Sequence, residues 1–262
     1  MKKVLFFILS LLLSLTLVGC GKDKDKTTDL VKDSDWMTPG AMIEYYLEDS
    51  NRKVSEVKMT INFVDDDGLK YTGYMRFVLF SEVAPRTVEN FVKLVDKNFY
   101  DNLTITRVVT DSLMQGGDPT KSTNNKKSES INTIKGEFEQ NEVFNNLSHR
   151  RGVLSMARAD DYDSASSQFF VVNSDYSAGD GGYAAFGYLL KERNADGSEL
   201  TYEQRNYTLT SEGRKVLYDY DCLDKICGIT LANGAIDGAP IDTIEIVTIE
   251  LLQKDVSMSA VK

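Results

Sequence analysis

One histidine, one tryptophan, three cysteines and four prolines in 262 residues leave several chemistries without their reagents. His149 is the only imidazole, and no other member of a Ser-His-Asp triad stands near it, so hydrolase chemistry lacks support. The cysteines are Cys20, Cys222 and Cys227, with no CxxC pair and no Cys/His cluster, so neither zinc nor any other metal or cofactor is expected. Cys222 and Cys227 fall in an expected helix about 140° apart around its axis, which makes them separate buried thiols rather than a disulfide. Basic charge is also short. Lys and Arg number 30 against 40 Asp and Glu, a net −10; without the leader that holds Lys2 and Lys3 the balance is 28 − 40 = −12. Such a chain repels phosphate backbones, which argues against a nucleic-acid partner. Few prolines beside thirteen tyrosines suggest a β-rich body, and no internal repeat is evident.

The first signal present is an address. Lys2 and Lys3 precede an apolar run from Val4 to Val18, broken by Ser10, Ser14 and Thr16. The run is shorter than the roughly 20 residues of a spanning helix and has the layout of a secretory leader. It ends in Leu17-Val18-Gly19-Cys20, which resembles the bacterial lipobox, whose cysteine takes the lipid (palmitate among its chains) and becomes the mature N-terminus. Residues 1–20 are therefore expected to be a lipoprotein signal peptide, with Cys20 lipidated and the chain held at the cell membrane on its extracytoplasmic side. Residues 21–55 read as a polar tether, because GKDKDKTTDLVKDSD cannot bury enough apolar surface to fold. Within it, Thr38-Pro39 could cap a short helix through Tyr46 and Leu47.

From Val57 the pattern becomes that of a folded domain. Val57–Val64 and Tyr71–Phe80 flank Asp65-Asp66-Asp67-Gly68, which predicts a hairpin. Pro85 opens a segment with Val88, Phe91, Val92 and Val95 at helical spacing. Further strands are expected at Leu103–Val109, Val153–Ala157, Phe169–Val172 and Ile244–Leu252, with a second helix at Tyr218–Cys227. Many strands with two separated helices describe a barrel plugged at its ends.

Several blocks then stand out: Ala84-Pro85-Arg86-Thr87-Val88-Glu89-Asn90-Phe91, Tyr100-Asp101-Asn102-Leu103, Arg107-Val108-Val109, Met114-Gln115-Gly116-Gly117-Asp118-Pro119 and Ile134-Lys135-Gly136-Glu137-Phe138. Arg151-Gly152-Val153-Leu154-Ser155-Met156-Ala157-Arg158, Ser164-Ala165-Ser166-Ser167-Gln168-Phe169-Phe170 and Tyr183-Ala184-Ala185-Phe186-Gly187 follow in order. Together they resemble the cyclophilins, peptidyl-prolyl cis/trans isomerases. The resemblance implies a mainly β fold, a closed eight-stranded antiparallel barrel with two capping helices, over residues 56–253. An insertion is expected at about 191–215 and a tail at 254–262.

The chemistry so implied needs no nucleophile. Rotation about a peptide C–N bond faces a barrier of about 18–20 kcal/mol, and at X-Pro the two isomers lie close in energy, so a catalyst need only stabilise the twisted state. By resemblance Arg107 is the guanidinium donor to the prolyl nitrogen, Gln115 the amide that places peptide backbone, and Phe170 the pocket floor. Leu113 stands where methionine is usual, Tyr183 where histidine is frequent at the pocket edge, and Ala157 and Arg158 on the strand that pairs with substrate main chain. Partners implied are proline-containing polypeptides, with the membrane reached through the lipid.

Two departures stand against that pattern. Ser112 replaces an aromatic wall, and Ala178 and Gly179 replace a tryptophan or histidine and a leucine. Losing large apolar walls could cost on the order of 1–3 kcal/mol each in grip on proline. The leading expectation is an isomerase assisting the folding of exported proteins; the alternative is a catalytically weak cyclophilin-like module that binds peptides or a partner. Tyr202 or Tyr207 from the insertion could fill the vacant wall. Glu192, Asn194, Asp196, Gly197, Ser198 and Glu203 follow EF-hand spacing, but Asn194-Ala195-Asp196-Gly197 reads more simply as a turn.

Overall fold

The computed structural model describes residues 35–124 and 131–261; the leader and Cys20 lie outside the described residues. Strands β1 (Lys53–Val64) and β2 (Lys70–Phe80) form the expected hairpin, paired residue for residue from Val54↔Phe80 to Val64↔Lys70. Its turn is held by Asp65, whose Oδ1 accepts from the amides of Asp67 and Leu69, with Gly68 at φ +77 where a side chain would be strained. Helix α2 (Pro85–Asp96) follows with Pro at its first turn and buries Val88, Phe91, Val92 and Val95, the four positions its spacing singles out.

Strands β3 (Leu103–Val109), β4 (Leu113–Gly116), β5 (Val153–Met156), β6 (Phe169–Val172) and β7 (Ala185–Leu190) continue the sheet. Three later elements are helix α3 (Tyr202–Tyr207), strand β8 (Lys215–Tyr218) and helix α4 (Asp219–Cys227). Strand β9 (Asp237–Gly238) and strand β10 (Ile244–Ser257) are the last strands among the described residues. Sheet order is β1-β10-β3-β4-β6-β5-β7-β2, and because β1 also pairs with β2 these eight strands close into an antiparallel barrel. Closure leaves the barrel no unpaired edge. Its interior is one apolar core that both α2 and α4 enter, with Phe91 against Tyr100, Phe169 and Phe186. Cys222 and Cys227 are separate, buried thiols on α4, as the spacing suggested; burial pushes both thiols up, Cys227 to about 12.

The folded body reaches further at both ends than the expected 56–253. Strand β1 starts at Lys53 and β10 runs on to Ser257, paired with each other at Lys53↔Ser257 beyond the barrel wall. Helix α1 (Pro39–Leu47), capped by the Thr38 side chain, is no part of a tether. Met42 and Tyr46 are 1% exposed and pack with Met258 over Val54, Val78 and Phe80. The Tyr46 hydroxyl accepts from the Glu82 amide at 3.1 Å. Apolar residues four apart gave this short helix a buried stripe, which its polar flanks masked. Just before it, Met37 bridges to Leu147.

The insertion contains the Asn194–Gly197 turn, closed by the Gly197 amide on the Asn194 carbonyl at 2.8 Å. It also contains α3, with a reciprocal Thr201/Gln204 cap, and leads into β8, which pairs in parallel with Tyr71–Tyr74 of β2. A cavity of about 810 Å³ opens beside it, lined by Ile43, Glu192, Arg205 and Met258 among others, and shares no lining residue with Arg107, Gln115 or Phe170.

Candidate active site

Four strands bring the site together in one row. Arg107 on β3 is the register partner of Gln115 on β4; Gln115 partners Phe170 on β6; Phe170 partners Ser155 on β5. Side chains of directly opposed residues share a face, so the guanidinium, the amide and the ring stand side by side on the outer wall. Gly117, at φ +83, lets β4 approach β6 this closely: a Cβ there would meet the Ser167 carbonyl oxygen at 2.6 Å.

The polar end of the row is a chain of hydrogen bonds. Arg107 donates through Nη1 to Gln115 Oε1 at 3.2 Å, and Gln115 donates through Nε2 to Gln168 Oε1 at 3.0 Å. On its other edge Arg107 donates through Nε and Nη2 to the two carboxylate oxygens of Asp237, at 2.6 and 2.7 Å. This pair holds the Arg107 guanidinium above, and the Asp237 carboxyl below, their ordinary ranges. Both side chains remain nearly half exposed, so the contact is a geometric clamp more than a source of stability.

At the apolar end, Phe170 is 4% exposed and Leu113 is buried beside it on the neighbouring strand, opposite Val172. Behind Phe170 lies His149, stacked on its ring at 5.9 Å and 14°. His149 is tied through Nδ1 to Asp180 Oδ1 at 2.9 Å and through Nε2 to Ser155 Oγ at 2.9 Å. A carboxylate can only accept, so Nδ1 is the donor in that contact. Burial pushes the Asp180 carboxyl up, but the His149 ring and amide and the Ser148 hydroxyl outweigh it and hold it low. His149 thus braces the Phe170 ring from behind.

Tyr183 stands beside Phe170, its ring 5.4 Å away at 86°. Ala157 lies just past β5, its amide donating to the Gln168 carbonyl at 2.9 Å. Arg158 is turned to local work: Nε donates to the Gly182 carbonyl at 2.9 Å, and the guanidinium lies over the rings of Phe138, Tyr162 and Tyr183. Ser112 sits in the tight β3–β4 turn, where its carbonyl accepts from the amides of Asn173 and Ser174.

The space beside Gly179, expected to be empty, is taken by Tyr176. The Tyr176 ring lies 6.4 Å from Phe170 at 84° and 6.3 Å from His149 at 88°. A Cβ on Gly179 would come within 2.8 Å of that ring, so Gly179 is small because Tyr176 occupies the space. Tyr202 and Tyr207 do not fill it; they are 67% and 68% exposed on the insertion. Tyr176 stands two residues before Ala178 and three before Gly179, an aromatic in the same short loop and the sequence signal for this position. No sequence signal marks Asp237, which lies 130 positions from Arg107 on a two-residue strand.

A closed antiparallel barrel carrying an arginine, an amide and an aromatic floor in one row defines a cyclophilin-like protein. The family model for cyclophilin type peptidyl-prolyl cis-trans isomerase/CLD matches residues 63–195, and the chain belongs to that family. A peptidyl-prolyl cis-trans isomerase of Acinetobacter baylyi is 37% identical over 124 residues, 45% of this chain and 62% of that one. Peptidyl-prolyl cis-trans isomerase A of Dickeya dadantii is 34% identical over 128 residues, 49% and 64% of the two chains. The chain thus spans less than two thirds of the length of these curated relatives. A cyclophilin type isomerase of Cryptosporidium parvum, solved in the presence of the dipeptide Ala-Pro, superposes with a TM-score of 0.48 at 23% identity, covering 74% of this chain and 99% of that one.

Proposed function

We propose that this chain is a peptidyl-prolyl cis-trans isomerase that assists the folding of exported polypeptides from a lipid anchor on the extracytoplasmic face of the cell membrane. The observation that carries the activity is the row Arg107–Gln115–Phe170 across β3, β4 and β6. Membership of the family and the names of the relatives agree with it.

In this reading the prolyl ring rests on Phe170 between Leu113, Tyr176 and Tyr183. Arg107 directs an N–H at the prolyl nitrogen as the bond twists. The nitrogen lone pair, no longer shared with the carbonyl, becomes an acceptor only in the twisted state, so this hydrogen bond favours the transition state over either planar isomer. Gln115 holds the carbonyl side of the peptide, and the main chain at Ala157 and Arg158 pairs with the residues before proline. No bond is made or broken, and the reaction asks nothing of a metal.

The anchor rests on Leu17-Val18-Gly19-Cys20. Each buried CH₂ of an attached lipid contributes about 0.8 kcal/mol, so two or three chains hold the domain at the surface. Cys20→Ser is expected to abolish incorporation of a fatty-acid analogue; equal labelling of the variant removes the lipoprotein assignment. One observation favours a second reading, a peptide-holding module with little turnover: the Phe170 ring is only 4% exposed. Exchange NMR on a proline peptide separates the two. An isomerase brings the cis and trans resonances into exchange far faster than the uncatalysed tens to hundreds of seconds; a holding module shifts the resonances without exchanging them.

A further inference from the structure

We propose that Asp237 is the positioning residue of the site, selecting which edge of the Arg107 guanidinium faces the substrate. The inference deepens the isomerase reading above and rests on it for its kinetic part.

A guanidinium has five N–H donors in one plane, and only a donor aimed at the prolyl nitrogen helps the twist. The Arg107 side chain is 44% exposed on a strand at the surface, and an unrestrained arginine there samples many rotamers. Asp237 removes that freedom with two parallel bonds, at 2.6 and 2.7 Å, that consume the Nε and Nη2 edge. The opposite edge, led by Nη1, is thereby turned to Gln115.

The backbone places Asp237 for this. Strand β9 pairs with β3 at Val108↔Gly238 and Val109↔Asp237, and the Thr110 amide donates to the Ile236 carbonyl at 2.9 Å. Asp237 is opposite Val109, two residues from Arg107, so the carboxylate and the guanidinium share a face as diagonal neighbours. The clamp also sets the polarity of the whole chain of amides. A carboxylate can only accept and a guanidinium can only donate, so Gln115 must present its oxygen to Arg107 and its nitrogen to Gln168. Gln168 accepts through Oε1, and its own nitrogen is the donor left over for a peptide carbonyl. Asp237 lies beyond residue 195, outside the stretch that the family model matches.

The test uses the full-length chain with Asp237→Ala, and Asp237→Asn as the milder change. In ¹⁵N–¹H spectra, the Arg107 Nε–H resonance, assigned by its loss in Arg107→Lys, is expected far downfield and slow to exchange in the parent. In Asp237→Ala it should move to the position of a free arginine. In exchange NMR with an Ala-Pro peptide, Asp237→Ala should lower kcat about tenfold with KM within twofold, since Phe170, Leu113 and Tyr183 are untouched; Asp237→Asn should fall between. A merely structural role would change KM and stability together. An unmoved Nε–H resonance, or an unchanged kcat, overturns the proposal. Should the parent chain itself fail to catalyse exchange, the isomerase reading falls, while the Nε–H shift still decides whether Asp237 holds Arg107.

Discussion

Tyr176 offers a perturbation whose size follows from geometry. Its ring lies beside Phe170, in the volume that a side chain on Gly179 would need, and under the proposed function it is a wall for the prolyl ring. A prolyl ring laid against one face of a phenol removes about 50 Å² of apolar surface from water, which at about 25 cal/mol per Å² is about 1.2 kcal/mol. Tyr176→Ala should therefore raise KM for an Ala-Pro peptide roughly eightfold. The kcat should change little, because the hydrogen bonds from Asp237 through Arg107 to Gln115 are not touched. Gly179→Leu alone should weaken binding and stability, since its Cβ would start 2.8 Å from the Tyr176 ring. Combined with Tyr176→Ala, the same leucine should recover part of the lost affinity by entering the vacated space. Peptide titration followed by NMR, with kcat from exchange spectroscopy, reads all three variants. A Tyr176→Ala protein with unchanged affinity, or a Gly179→Leu protein that binds more tightly than its parent, refutes the assignment of Tyr176 as a wall.

Two further outcomes concern stability. Tyr46→Ala removes a side chain 1% exposed and packed at 5.1 Å on Phe80, and should cost about 3–5 kcal/mol in urea denaturation, as for other large aromatics cut from a core; a loss under 1 kcal/mol would return α1 to the status of a tether. Burial pushes the Asp65 carboxyl up, but Lys225 Nζ at 2.7 Å and the Leu69 amide pull it down further, to about 2. A folded value below the ordinary one of about 3.9 means that this contribution is complete above roughly pH 4 and is lost as pH falls toward 2. The urea midpoint of the parent should accordingly drop more steeply over that window than that of Asp65→Asn, and parallel curves would contradict the pairing.

The sequence carried most of the barrel because its signals are local. The hairpin turn at Asp65–Gly68, the four apolar positions of α2 and the strands β3 and β6 were each legible from short-range patterns. So was the row of Arg107, Gln115 and Phe170, since each lies inside a block that resembles the family. What escaped depends on contacts between distant segments. Nothing within α1 announces that Met42 and Tyr46 meet Met258 more than 200 positions away, and the charged residues before it suggested a solvated tether. The clamp at Asp237 needs a two-residue strand docked on β3. Gly179 looked like a lost wall because position 179 alone does not show a ring arriving from three positions upstream.

The most direct test of the proposed chemistry is the rate of cis/trans exchange in a proline peptide, measured by exchange NMR with the full-length protein and with Arg107 replaced. The parent should accelerate exchange, and Arg107→Ala should lower kcat/KM at least tenfold, about 1.4 kcal/mol of transition-state stabilisation, with the fold unchanged. Arg107→Lys should recover little, because an ammonium cannot grip Asp237 with one edge and face the pocket with the other. Parental rates from either variant, or a parent that leaves the cis and trans resonances unexchanged, would contradict the central role given to Arg107.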